Sequence, residues 1–314
     1  MSPFSSRRRQ RLARFLSFVV LAVVLGAGIA TFANSAVGSR DTEQAAGGGG
    51  AGAALALESS DIPWPAEGGA AIAVGDGDVL THADDPHAMA SITKLLTALM
   101  VLEEKPLAVG EAGPDYRFVE RWNDSYEEYL ARDESALPVP VGGVLTQHQL
   151  LQGMLLGSAC NYADILVADV WGDDAAYARA AEAYLAEKGL TGIEVVEPTG
   201  IDPGNTATPS ALIELGRLAM ANPVVAEIVA TSEVELPGAG LVENTNDLLA
   251  DPGVVGIKTG TLDGSNLLSA KDVAVAGGVV RVYVVVLAQE DDDARFTESR
   301  ALYAAVEESL TAER

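Results

Sequence analysis

Cysteine is nearly absent from this chain: among 314 residues only Cys160 occurs. One thiol can build neither an intramolecular disulfide framework nor a cysteine-based zinc site. Histidine is almost as scarce. His82, His87 and His148 show no His-Glu-x-x-His or comparable spacing, so no metal-hydrolase motif is present, and neither a metal nor a cofactor is expected. Positive charge is the third shortage. Lysine and arginine number 20 against 45 acids, a net charge of −25, which argues against a nucleic-acid partner and its need for a basic face. Apolar residues are plentiful instead: 48% of the chain is hydrophobic and 21% charged, enough for a sizeable core and incompatible with global disorder.

The few basic residues are not evenly spread. Residues 1–14 hold five arginines and no acid, and residues 15–35 hold no charge at all. The 19-residue run Phe15–Ala33 would span about 28 Å as a helix, close to the roughly 30 Å hydrocarbon thickness of a bilayer. A basic head, an apolar run and an acidic body are the layout of an exported protein. The expectation is a cytoplasmic head (1–14) and a transmembrane signal anchor or a signal peptide (15–35), cut in the latter case near Ala33-Asn34-Ser35. An Ala/Gly-rich linker (36–56) containing Gly47–Gly50 follows, then one catalytic body (57–314) outside the cytoplasm.

Within the body, Gly69–Val74 and Asp78–His82 flank Gly75-Asp76-Gly77 and predict a hairpin. Ile92, Leu95, Leu96, Leu99 and Met100 fall at helical spacing. Thr146 with Gln149 predicts a capping-box helix start, and Gly157 its stop. Asp173–Lys188 predicts a helix closed by Gly189, and Thr208-Pro209 and Asn222-Pro223 open two more. The period then changes. Val254–Lys258, Asn266–Ala270, Val273–Ala276 and Val280–Gln289 read as strands, and Asp293–Leu310 as a final helix. The expected fold is α/β: an antiparallel sheet of N- and C-terminal strands flanked by helices, with a mainly helical lobe inserted between them. No repeat at a fixed period is present, and no second domain or amphipathic membrane-binding tail is expected beyond Leu310.

Three short motifs carry chemistry. Ser91-Ile92-Thr93-Lys94 opens the first helix and sets Ser91 and Lys94 one turn apart on one face. A serine hydroxyl needs a base within reach, and a lysine serves only when its environment disfavours the ammonium. Lys258-Thr259-Gly260 ends an apolar run, offering a cation and a hydroxyl for a carboxylate and a glycine for close backbone approach. Ser158-Ala159-Cys160-Asn161 follows Gly157, where Ser158 could relay a proton between a lysine and a leaving group. Singly, each reads equally as a helix cap, a strand end or a helix-end serine.

In this order the motifs resemble those of the active-site serine penicillin-recognising enzymes: Ser-x-x-Lys, Ser-x-Asn, Lys-Thr-Gly. The stretches Ala90–Leu96, Leu151–Asp164, Glu197–Asn205, Asn244–Leu249 and Val255–Thr261 narrow the resemblance to the D-alanyl-D-alanine carboxypeptidase family, in particular its short actinobacterial-looking members, over roughly residues 60–310. The resemblance implies the β-lactamase/transpeptidase-like fold and removal of the terminal D-alanine from peptidoglycan stem peptides, with β-lactams as covalent inhibitors. It implies Ser91 as nucleophile, Lys94 as its base and Ser158 as relay. Lys258, Thr259 and Gly260 would hold the substrate, and the backbone N–H groups of Ser91 and Thr261 would form the oxyanion hole. Cys160 stands where the family has asparagine, and a thiol donates and accepts weakly. The expectation is slowed acylation, or Asn161 in the missing amide's role. Two alternatives accompany this reading. One is a β-lactamase of the same fold, for which Glu194 and Glu197 are in about the right region but without a Glu-x-x-Leu-Asn pattern. The other is a catalytically impaired peptide-binding homologue.

Overall fold

The computed structural model describes residues 59–312. The basic head, the apolar run and the linker predicted above lie outside the described residues. A five-stranded antiparallel sheet organises the rest. Its order is Val254–Leu262, Gly264–Val275, Gly278–Gln289, Gly69–Val74, Leu80–His82, so the C-terminal strands are completed by the N-terminal hairpin. Ile72 faces Val284 on one side and Leu80 on the other.

Among the described residues eight α-helices accompany the sheet: α1 (Thr93–Glu104), α2 (Arg121–Leu130), α3 (Gln147–Leu155), α4 (Cys160–Val170), α5 (Asp174–Lys188), α6 (Pro209–Ala221), α7 (Pro223–Val229) and α8 (Asp292–Ala312). The cap signals in the sequence operate as expected. Thr146 accepts from the backbone of Gln149 in a complete capping box ahead of α3. Asp173 accepts from Ala176 at the start of α5, and Gly189 closes that helix in the left-handed region at φ 68°. Thr208 and Asn222 cap α6 and α7, each with proline following.

The alternation of side chains divides the sheet's core in two. Ala70, Ile72, Val74, Leu267, Val284 and Val286 face α8 and pack with Phe296, Leu302, Tyr303 and Val306. Ala71, Ala73, Leu268, Val285 and Leu287 face the opposite way, into the larger core shared with α1, α3, α4 and α6. With both faces covered, Gly69–Val74 and residues 282–287 read as unbroken apolar runs. α1 is the centre of the second core. Thr93 through Leu102 are all buried, so it is enclosed on every side.

Strand ends differ from the sequence reading by two to four residues at Leu80, Leu262 and Gly278, and that reading divides one strand in two. Asn266–Ala270 and Val273–Ala276 are one strand, Gly264–Val275. The Lys271-Asp272 pair that interrupts the apolar pattern stays in the ladder because Arg281 on the adjacent strand grips Asp272 with two bonds of 2.7 and 2.9 Å. α2, absent from the sequence reading, carries Trp122, Tyr126, Tyr129 and Leu130 at helical spacing, yet of its residues only Tyr129 is buried.

Candidate active site

The chain enters α1 through a tight turn. Ala90–Ile92 is one turn of 3-10 helix, and Ala90 sits in the left-handed region at φ 49°, a conformation that costs about 1 kcal/mol or more without glycine. Its neighbours hold it there. Met89 N–H donates to Asn205 O at 2.9 Å, Asn266 Nδ2 donates to Ala88 O at 3.0 Å, and Thr93 Oγ1 donates to Ala90 O at 2.8 Å. Two glycines press on the same turn. A Cβ on Gly260 would lie 2.7 Å from Met89 O and 3.2 Å from Ser91 N; one on Gly200 would lie 1.9 Å from Ala90 O. Neither position has space for a side chain, so the strand ending in Lys258-Thr259-Gly260 and the loop through Gly200 both run directly against Ser91.

Lys94 is fully buried. Its Nζ, one turn after Ser91, donates to Ser91 Oγ at 3.0 Å and to Thr199 O at 2.5 Å. It also engages the Cys160 thiol, which is held neutral: burial pushes that thiol up, and Lys94 opposes the shift without cancelling it. Cys160 Sγ lies 3.9 Å from Ser158 O. Ser158 occupies the left-handed region at φ 58° just before α4, and its buried Oγ has no hydrogen-bond partner among the described residues. Lys258 Nζ is in the same condition. Burial pushes the Lys258 ammonium well below its ordinary value, and the nearby charges of Lys94 and Arg295 push the same way. Buried polar atoms are rarely left unpaired in folded proteins, so two of them beside the Ser91–Lys94 pair mark where a polar ligand would bind.

The rest of the strand is fixed from two sides. Thr259 Oγ1 and Thr245 Oγ1 share a 2.5 Å hydrogen bond. Arg295, nearly buried in the first turn of α8, donates to Gly260 O at 3.2 Å and to Thr261 Oγ1 at 2.9 Å, with Asp292 beside it at 3.2 Å. Sequence reasoning missed Arg295. It lies 37 positions after Lys258 in an otherwise ordinary charged helix start, and only the sheet-to-helix packing brings the two cations together.

Asn161 is not at the site. Its Nδ2 donates to Leu137 O at 2.8 Å and its Oδ1 accepts from Leu137 N at 3.1 Å. Both ends of the amide are committed to pinning the chain ahead of α3, so Asn161 has not taken over the place that Cys160 vacates. Among the other sequence candidates the structure gathers Ser91, Lys94, Ser158, Cys160, Lys258, Thr259, Gly260 and Thr261 around one turn. Glu194 is an exposed strand residue paired with Thr206. Glu197 is half-buried, and its carboxylate is filled by donors from its own loop.

A further carboxyl lies behind the site. Asp164, one turn after Cys160 on α4, lines a cleft of about 380 Å³ with Arg121, Trp122 and Asp174. Burial pushes it up to about 6; the Tyr129 hydroxyl at 2.8 Å pulls down, Asp174 and Glu197 push up, and Lys94 pulls down. A carboxyl raised in the folded state stabilises it below the ordinary carboxylate pKa, and that contribution is lost as pH rises through about 6. Asp164→Asn, whose amide oxygen still accepts from Tyr129, should therefore raise the calorimetric Tm at pH 8 by roughly 6–12 °C and leave it little changed at pH 4. Equal shifts at both pH values would contradict the assignment.

A serine and a buried lysine on the first turn of a central helix, a serine at the start of the next helical pair, and a Lys-Thr-Gly edge strand together define an active-site serine enzyme of the penicillin-recognising fold. Comparison with known proteins gives the family. A model of the D-alanyl-D-alanine carboxypeptidase family matches residues 66–290, and the chain belongs to that family. It is 34% identical over 193 residues to the D-alanyl-D-alanine carboxypeptidase DacB2 of Mycobacterium tuberculosis (strain ATCC 25618 / H37Rv), covering 59% of this chain and 62% of that relative. It is 29% identical over 234 residues to a D-alanyl-D-alanine carboxypeptidase of Streptomyces sp. (strain K15), covering 68% of this chain and 78% of the relative. Among solved structures, the Streptomyces K15 DD-transpeptidase superposes with a TM-score of 0.67 at 25% identity, over 78% of this chain and 98% of that one. The ampicillin-bound penicillin-binding protein D2 of Listeria monocytogenes, at 23% identity and a TM-score of 0.61, covers 76% and 96% and shares the fold. The expected β-lactamase/transpeptidase-like architecture is thus the observed one.

Proposed function

We propose that this protein is a serine D-Ala-D-Ala carboxypeptidase acting on peptidoglycan stem peptides. The observation that carries the proposal is the 3.0 Å bond between Ser91 Oγ and the fully buried Lys94 Nζ, beside a Lys258 with no partner of its own among the described residues. In this reading Lys94 takes the Ser91 proton as Oγ attacks the penultimate D-alanine carbonyl. The backbone N–H groups of Ser91 and Thr261 receive the oxyanion. Lys258 and Thr259 hold the terminal carboxylate, with Arg295 adding positive charge and orienting Gly260 and Thr261. Ser158 passes the proton to the departing D-alanine amine. Water then cleaves the ester and returns a proton to Ser91. Transfer of the same acyl group to an amine would be transpeptidation, the activity in the name of the Streptomyces K15 structure.

The β-lactamase alternative needs a free carboxylate to activate water. Glu197 accepts only from its own loop and Glu194 is on the surface, so neither supports it. Cys160 supports slow acylation, because a neutral thiol replaces an amide beside Lys94. The five arginines and the apolar run place the body outside the cytoplasm in this proposal, anchored by residues 15–33 or released by cleavage. Among the described residues no helix is long and apolar enough to cross a membrane.

The test is release of D-alanine from a synthetic stem pentapeptide ending in D-Ala-D-Ala. Equimolar D-alanine and tetrapeptide are expected from the natural protein and none from Ser91→Ala. An attached amine product in the presence of an amino acceptor would extend the reading to transfer. Undiminished release by Ser91→Ala would reject it.

A further inference from the structure

The Thr199–Gly200 peptide unit has a hydrogen bond at each end. Its carbonyl, Thr199 O, accepts from Lys94 Nζ at 2.5 Å; its amide, Gly200 N–H, donates to Glu197 Oε1 at 2.5 Å. One peptide plane therefore joins the Glu197 carboxylate to the lysine beside Ser91. The carboxylate takes four further donors: Thr199 N at 2.7 Å, Thr199 Oγ1 at 2.6 Å, Asn205 Nδ2 at 2.6 Å and, more weakly, Asp202 N at 3.4 Å. Asn205 extends the hold. Its Nδ2 also donates to Thr93 Oγ1 at 3.3 Å, and its carbonyl accepts from Met89 at the entrance to the nucleophile turn.

From this geometry we infer that Glu197 is a positioning residue for Lys94: it fixes which way the Thr199–Gly200 peptide faces. The need for such a device follows from Gly200. At φ 86° and with no side chain, glycine lets the preceding peptide plane rotate easily. Turned over, the unit would present an N–H rather than a carbonyl to Lys94, and the lysine would lose its acceptor and its aim at Ser91 Oγ. An anion on the amide end opposes that rotation and polarises the carbonyl at the other end, strengthening the bond to Lys94. Only an ionised carboxylate fits. Every partner around Glu197 is a donor, so a glutamine would turn an NH₂ group toward N–H groups.

The inference rests on the proposed role of the Ser91–Lys94 pair, and the experiment separates the two. Glu197→Gln and Glu197→Asp are compared with the natural protein for labelling by a fluorescent penicillin, resolving initial binding from the acylation step. For Glu197→Gln the acylation step should slow on the order of 100-fold, the cost of a misplaced catalytic group, with initial binding little changed. Glu197→Asp, which keeps the charge, should recover part of the rate. Amide exchange of the peptide containing Gly200 should accelerate in Glu197→Gln while the sheet strands stay protected. A merely structural role would scale labelling with the folded fraction and leave the acylation step of the folded protein unchanged. A role for Glu197 in hydrolysing the ester would leave acylation unchanged and lengthen the life of the adduct. Either result overturns the inference. If the natural protein takes no label, the functional reading fails, and unaltered exchange at Gly200 in Glu197→Gln would then reject the hold itself.

Discussion

Lys94→Arg is expected to lower the rate of Ser91 acylation by about 10²–10⁴-fold while the protein stays folded. The charge is kept; the chemistry is not. Arginine does not give up its proton in proteins, so it cannot accept one from Ser91. Geometry adds to the loss. Lys94 is fully enclosed, with Ser91 Oγ and Thr199 O on its Nζ and the Cys160 thiol alongside. A planar guanidinium in that space costs about 1–3 kcal/mol of overpacking, which a thermal melt would register separately from the rate. Stopped labelling with a fluorescent penicillin measures the acylation step directly. An acylation rate equal to that of the natural protein would remove Lys94 as base and leave Lys258 or a Ser158–water pair as candidates.

Gly200→Ala is expected to abolish labelling and to destabilise the fold by about 3 kcal/mol or more. Two costs coincide at this position. The backbone is at φ 86°, where an L side chain is strained, and the new Cβ would sit 1.9 Å from Ala90 O and 2.9 Å from Ser91 N. Those are main-chain atoms of the nucleophile turn, which cannot swing aside as a flexible side chain would. Ala90 already sits at a positive φ and is tied through Met89 to Asn205. The loop, the turn or both must move, and Thr199 O moves with them. Denaturant unfolding together with labelling checks both halves. A variant with unchanged stability and labelling would mean that the loop and the nucleophile turn are not in contact.

Much of this arrangement was legible in the sequence, for identifiable reasons. Thr146/Gln149, Asp173/Gly189, Thr208-Pro209 and Asn222-Pro223 act through bonds within four or five residues, so local order displays them. Ser91 and Lys94 share one helical turn, and Lys258-Thr259-Gly260 lies along one strand, so each motif is readable by itself. What stayed hidden depends on contacts across the fold. Arg295 reaches Thr261 only because α8 packs on the sheet. Thr199 acts through its carbonyl, a group that every residue carries, so its identity gives no signal. Glu197 stood out in the sequence only as an acid lacking a Glu-x-x-Leu-Asn pattern, and its value lies in the direction it gives one peptide plane. Asn161 misled for the opposite reason: its place beside Cys160 suggested an amide near Lys94, while α4 directs it to Leu137. The single strand Gly264–Val275 was split because a cross-strand ion pair breaks an apolar pattern without breaking the ladder.

The central claim is that Ser91 forms the acyl-enzyme. The most direct measurement is peptide mapping by mass spectrometry after brief exposure of the folded protein to penicillin. The account predicts a single adduct of the penicillin's mass, on the peptide containing Ser91, and none in Ser91→Ala. An adduct on Ser158 or Ser265, or an unmodified Ser91 in protein that has taken up the drug covalently, would contradict it.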